Sequence, residues 1–132
     1  MGAADFLLGV CESWMTPALF LSVAFIAGSV ISFFTGSSWG TFAICIPIAV
    51  PMAYSFTGGQ LGTLVYAAVG AVVSGGLFGD QCSPVSDTTV LSSLGAACDH
   101  IDHVRTQLPY ALLAAAVSII LWIVVALVGG AV

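Results

Sequence analysis

The sequence predicts an all-α integral membrane protein: a re-entrant helical hairpin, a discontinuous helix and a final transmembrane helix. Three observations carry that expectation. The 132 residues are 60% hydrophobic and 5% charged, with a mean hydropathy of +1.17. A soluble domain has about 25% charged residues, so a water-facing surface cannot be built from this chain. Its apolar runs are of marginal spanning length and are divided by Gly/Ser-rich breaks. Finally, residues 79–106, GDQCSPVSDTTVLSSLGAACDHIDHVRT, hold every charged side chain beyond Glu12: Asp80, Asp87, Asp99, Asp102 and Arg105.

The elements follow in order. Residues 1–16 carry Asp5 and Glu12 and no basic n-region, which argues against a signal peptide. They read as a connecting or interfacial helix with further chain expected upstream. Residues 17–56 read as the hairpin. PALFLSVAFIAGSVISFF (17–34) would make about 27 Å of helix, marginal for a bilayer core of about 30 Å. TGSSWG (35–40) interrupts it and TFAICIPIAVPMAYSF (41–56) returns. Pro47 and Pro51 lack N–H groups, so this second arm is expected to bend or partly unwind.

TGGQLG (57–62), with three glycines, is a turn. Residues 63–98 read as one broken helix, with an apolar run to Phe78, a break at 79–84 closed by Pro84, and a small-residue helix from Val85. Asp87 lies near the start of that second piece, where an acid complements the helix dipole. Residues 99–107 are polar and expected at the interface, and 108–128 form the last span of about 20 residues. Arg105 is the one basic residue, and positive-inside bias places it in the cytoplasm. Small-xxx-small pairs (Gly36/Gly40, Gly58/Gly62, Gly75/Gly79) read as close helix packing in lipid.

Composition also excludes functions. One arginine and no lysine cannot neutralise a phosphate backbone, so nucleic acid is not a partner, whereas membrane lipid is. Cys11, Cys45, Cys82 and Cys98 form no CxxC pair and read as small buried thiols. CDHIDH (98–103) lacks zinc spacing and reads as an interfacial, pH-sensitive patch. GSSWG (36–40) matches G-x-S-x-G, and an intramembrane serine hydrolase using Ser38 with His100 or His103 is the rival from the enzyme class. That motif needs a strand-turn-helix setting, and apolar helices flank it here.

The polar island points elsewhere. Ionisable groups are expensive near hydrocarbon and normally face a cavity or partner that uses them. Helices broken at membrane depth are how transporters offer backbone groups to ions. The expected class is therefore a multi-pass, ion-coupled transporter of the cell membrane and not an enzyme. TGSSWGTFAICIPIAVP and GDQCSPVSDTTVLSS…CDHIDHVRTQLPYAL closely resemble the C-terminal part of NhaC-type sodium/proton antiporters, over roughly residues 3 to 115.

The resemblance implies an inverted-repeat transporter of a wider ion-transporter superfamily, with hairpin 17–56, discontinuous helix 63–98 and last helix 108–128. It implies that this chain holds the later part of the second repeat. A missing N-terminal half or a separate partner chain would complete it, and a homo-oligomer is a further expectation; the alternative to an active antiporter is a fragment inactive without that first-half partner. Some members of the family exchange organic acids, such as malate for lactate, or carry amino acids.

Sodium is a hard cation and takes oxygen ligands. Thr35, Ser37 and Ser38 at one break, with Ser83, Ser86, Asp87, Thr88 and Thr89 at the other, are the candidate set. Any one of these hydroxyls could instead cap a helix or bond back to a carbonyl. Asp87 is the first choice for coupling, because a desolvated carboxyl favours a proton that an arriving cation expels. Asp80 is second, with capping of the break beside Gly79 as its plainer role. No cofactor is expected beyond the transported Na+ and H+, and no metal beyond that sodium site.

Overall fold

The computed structural model describes residues 15–129, apart from the side chain of Ala18. The expected connecting helix at 1–16 lies almost wholly outside them. The described residues form five helices and no strand: α1 Pro17–Thr35, α2 Ser38–Phe56, α3 Thr63–Cys82, α4 Asp87–Gly95 and α5 His100–Gly129. α2, α3 and α5 are long and apolar enough to cross a membrane, while the apolar part of α1, Leu19–Thr35, is shorter. The protein is an all-α membrane chain.

α1 begins with Pro17, whose missing N–H would have no helical partner in any case. It stops at Gly36, which adopts φ 66° and returns its N–H to Ser32 O at 2.8 Å. This is the left-handed glycine stop common to helix ends. Ser37 then caps α2, its hydroxyl accepting from the Gly40 N–H at 3.4 Å. The interruption is thus Gly36–Ser37, tighter than the expected 35–40. α2 continues through Pro47 and Pro51 as one helix, so of the expected bend or partial unwinding the unwinding does not occur. Each proline removes a single rung of the ladder, and a helix packed among neighbours tolerates that loss.

α3 is the central helix, packed on α1, α2 and α5, and its small residues let α1 come in backbone to backbone. A Cβ on Gly75 would lie 2.2 Å from Phe25 O, and one on Gly79 equally close, 2.2 Å, to Ser29 O. Ser32 donates to Gly76 O at 2.6 Å across the same seam. Gly75/Gly79 therefore is a packing pair. Gly58 is not, having open space around it and a turn conformation at φ 65°. Below the seam, Leu21, Phe25, Val65, Ala68 and Val72 fill an apolar core.

After Cys82 the chain runs unwound through residues 83–86 and resumes as α4 at Asp87, two residues later than expected. α4 ends at Gly95, short of the expected Cys98, in a turn where Ala97 has φ 51°. The largest departure is at 99–107. These residues were expected as an interfacial link, yet α5 starts at His100 and runs 30 residues with Pro109 inside it. Asp99 is the reason: its Oδ1 accepts from the N–H groups of Ile101 (2.9 Å) and Asp102 (3.2 Å), capping the new helix. Thirty residues make a helix of about 45 Å, so its first turns extend beyond a hydrocarbon core of about 30 Å.

Candidate functional site: the junction of two helix breaks

The two interruptions touch. A Cβ on Gly36 would lie 2.9 Å from Val85 O, so only glycine lets the α1–α2 break lie against the α3–α4 break. Ser83 reinforces the contact by donating to Phe33 O at 2.7 Å, one of the carbonyls that the end of α1 leaves without a helical partner. The Ser83 oxygen also accepts from the Val85 N–H at 3.2 Å. The unwound segment is thereby fastened to the end of α1.

Asp80 sits in this junction, in the last turn of α3, and is only 8% exposed. Its Oδ1 accepts from Ser86 Oγ at 2.7 Å and its Oδ2 from Ser38 Oγ at 3.3 Å. Those hydroxyls come from the starts of α4 and α2, so three helix ends converge on one carboxylate. Ser86 occupies the N-cap of α4, where a serine oxygen ordinarily accepts from a first-turn N–H. It makes no such bond. An ionised carboxylate only accepts, so the single Ser86 proton goes to Asp80. Thr88 Oγ1, 2.7 Å from Ser86 Oγ, must then be the donor between the two. Thr88, Ser86 and Asp80 form a directed chain.

The other expected residues divide by their bonds. Thr89 Oγ1 lies 3.1 Å from Gln81 O and 3.4 Å from Asp80 O, serving carbonyls at the end of α3. Thr35 bonds back to Ile31 O at 2.8 Å, and Ser37 is a cap. Asp87 is exposed on this chain, and its Oδ1 accepts from the Thr88 N–H at 2.9 Å. Of the two carboxylates, Asp80 lies inside the junction and Asp87 is exposed beside it.

Beside the junction a cleft of about 440 Å³ separates α3, α4 and α5. Asp80, Gln81 and Thr88 reach it from one side, His103 and Gln107 from the other. Sequence reasoning missed Gln81 and Gln107 and put His103 outside the site. His103 and Gln107 are four apart on one face of α5; starting the last helix at 108 hid that spacing.

His100 points the other way. Its Nε2 is 2.7 Å from Pro84 O and its Nδ1 3.2 Å from Ser93 Oγ. Ser38 is paired with a carboxylate, and neither bond of His100 involves it. Among the described residues no three of His, Cys, Asp and Glu come together as metal ligands.

Arg105, the one basic side chain, is exposed on α5. The junction thus presents a carboxylate that receives two hydroxyls, with a third hydroxyl behind Ser86, and oxygen groups of this kind suit a hard cation.

Comparison with known proteins bears on the class. The chain is 37% identical over 114 residues to the malate-2H(+)/Na(+)-lactate antiporter of Bacillus subtilis, covering 86% of this chain and 23% of that protein. It is 32% identical over 126 residues to the arginine/ornithine antiporter ArcD of Halobacterium salinarum, covering 96% of this chain and 25% of that protein. It is also 32% identical over 124 residues to the Na(+)/H(+) antiporter NhaC of Alkalihalophilus pseudofirmus, covering 94% and 26%. The chain spans about a quarter of the length of these relatives. No solved structure matches it. A sequence profile of the Na+/H+ antiporter family matches residues 1–127. With that match, the relatives and the spanning helices in agreement, this multi-pass plasma-membrane chain belongs to the Na+/H+ antiporter family.

Proposed function

We propose that the junction is the ion site of a sodium/proton antiporter and that Asp80 is the carboxylate for which the two ions compete. One observation carries this reading: a nearly buried carboxylate receives hydroxyls from two other helix ends and still borders an open cleft. A proton on the Asp80 carboxyl and a cation against its oxygens claim the same lone pairs, so they are mutually exclusive occupants. Sodium entering from the cleft takes the Asp80 oxygens and the lone pairs of Ser38, Ser86 and Thr88. The Asp80 proton leaves to water in the cleft. On the other face of the membrane the order reverses. Occupation by one ion excludes the other, so exchange needs no further cofactor.

Ser83 and Thr89 hold the break in shape in this scheme. Thr35 and Ser37 shape the facing break, and Asp87 contributes negative charge beside the entrance. The remaining three quarters of the transporter, on the same polypeptide or a partner chain, would close the cleft and provide the second access route.

A second reading has specific support. The cleft of about 440 Å³ is far larger than one cation needs, and a water molecule takes about 30 Å³ of liquid. Two relatives are named for exchange of organic acids or amino acids. The cleft would then admit a small organic solute beside the ion.

One experiment separates the two. Everted vesicles carrying the chain in a full-length family background are acidified inside, and a pH-sensitive dye follows proton release on addition of salts. Sodium chloride alone should release protons. Release only after malate, lactate, arginine or ornithine is added would replace sodium/proton exchange with the solute reading.

A further inference from the structure

The unwound segment 83–86 must keep one shape for Ser86 to reach Asp80, and one of its carbonyls has no helical partner. In a continuous helix Pro84 O would accept from the Thr88 N–H. Here that N–H is given to Asp87 Oδ1 at 2.9 Å. Pro84 O instead lies 2.7 Å from His100 Nε2, sixteen residues on and the first residue of α5. A buried or half-buried carbonyl left unpaired is costly, so this contact is not incidental to the break.

We propose that His100 is a positioning residue of the exchange site: its Nε2–H holds the Pro84 carbonyl and thereby sets Ser86 against Asp80. The inference rests on the ion-site reading above. A carbonyl only accepts, so Nε2 must carry the hydrogen. Nδ1 is then free to meet Ser93 in either of two ways. A neutral ring accepts the Ser93 proton at 3.2 Å; a cationic ring donates to Ser93 Oγ, whose own proton goes to Val90 O at 2.8 Å. Both states keep the bond to Pro84. The pin therefore depends on a donor at the Nε2 position and not on the charge of the ring. From the other side Ser83 ties the segment to Phe33 O at 2.7 Å, so the two serines and the proline hang between α1 and α5. Pro84 is two residues from Ser86, close enough for a slack carbonyl to move the hydroxyl.

Two amide variants test this, because the Gln nitrogen reaches about as far as Nε2 and the Asn nitrogen only about as far as Nδ1. In full-length family background, His100→Gln should keep the sodium concentration for half-maximal proton release within about twofold of wild type. His100→Asn should raise it about three- to tenfold, the loss expected for one hydrogen bond. Peptide-level hydrogen exchange over residues 83–90 provides a readout independent of transport: faster in Asn, unchanged in Gln. Equal exchange in the two variants would overturn the pin. If His100→Asn is not recovered in membranes, His100→Gln decides alone, since it keeps only the Nε2 arm: wild-type exchange supports the proposal and rapid exchange refutes it. If the wild-type protein moves no protons with sodium, the ion-site reading fails while hydrogen exchange still judges the pin.

Discussion

Asp80→Asn separates the structural from the ionic role of the junction. Asp80 accepts hydroxyls at 2.7 Å from Ser86 and 3.3 Å from Ser38. In the variant the amide oxygen can keep the Ser86 bond while the amide nitrogen donates to Ser38, whose hydroxyl rotates to accept. Both contacts survive as neutral hydrogen bonds, at roughly half the strength of charge-assisted ones. The fold should lose about 1–2 kcal/mol, which a packed helical chain tolerates. The ion loses much more. Removing a unit charge about 4 Å from a cation, at an effective dielectric near 20, removes about 4 kcal/mol, or about a thousandfold in affinity.

The expected outcome is therefore normal abundance in the membrane with sodium-driven proton release absent at any practical concentration. The assay is dye dequenching in everted vesicles across a sodium titration, with immunoblotting for abundance and radioactive sodium binding on the purified protein. A half-saturating concentration within about tenfold of wild type would refute the reasoning, since a cation touching Asp80 must feel so large a change in charge.

Other substitutions grade the same site. Asp87→Asn should leave half-saturation within about threefold of wild type, because an exposed charge is screened by solvent and salt; abolished exchange at normal abundance would return the coupling role to Asp87. Ser86→Ala should raise half-saturation about tenfold by removing a short hydrogen bond and an ion ligand, and Ser38→Ala, with the longer 3.3 Å contact, should do less; the same titration checks the order. Gly79→Ala should act on the fold, since its Cβ would meet Ser29 O at 2.2 Å and Phe33 N at 2.8 Å, both backbone. The cost of about 1–3 kcal/mol or more should appear as lower thermal stability and a poorer monodisperse peak in detergent.

Both breaks were legible because glycine and hydroxyl residues interrupt runs too apolar to be loops. The candidate sodium ligands were drawn from both breaks, and the approach of Gly36 to Val85 brings the two together. The helix through Pro47 and Pro51 was less legible, because local rules count the lost rungs and not the neighbours that compensate. The start of α5 was hidden by composition: CDHIDHVRTQ looks like an aqueous link, while the deciding fact is the Asp99 side chain reaching the amides of Ile101 and Asp102. That one boundary concealed His100 as a partner of the break and His103 as part of the cleft. Burial of Asp80 depends on how α1, α2 and α4 meet around it, which no window along the chain contains.

Yet the choice between the two aspartates had a physical signature once the helix ends are known. Asp87 opens α4, where its charge complements the positive end of the helix dipole, and it needs no functional explanation. Asp80 stands in the last turn of α3, at the negative end of the helix dipole, where an acid is locally unfavourable. Ser86 breaks a second local rule, since a serine at an N-cap gives up its usual bond to the helix in order to donate to that acid. Sequences that fold reliably are consistent across such levels, and departures concentrate where function requires them. A cation in the junction would remove both anomalies together: it would neutralise the acid at the negative helix end and take oxygen lone pairs of Ser86 and Thr88. A proton on Asp80 relieves only the first. In the proposed scheme that asymmetry would give the two ions one site and different claims on it, which is what exchange by competition requires.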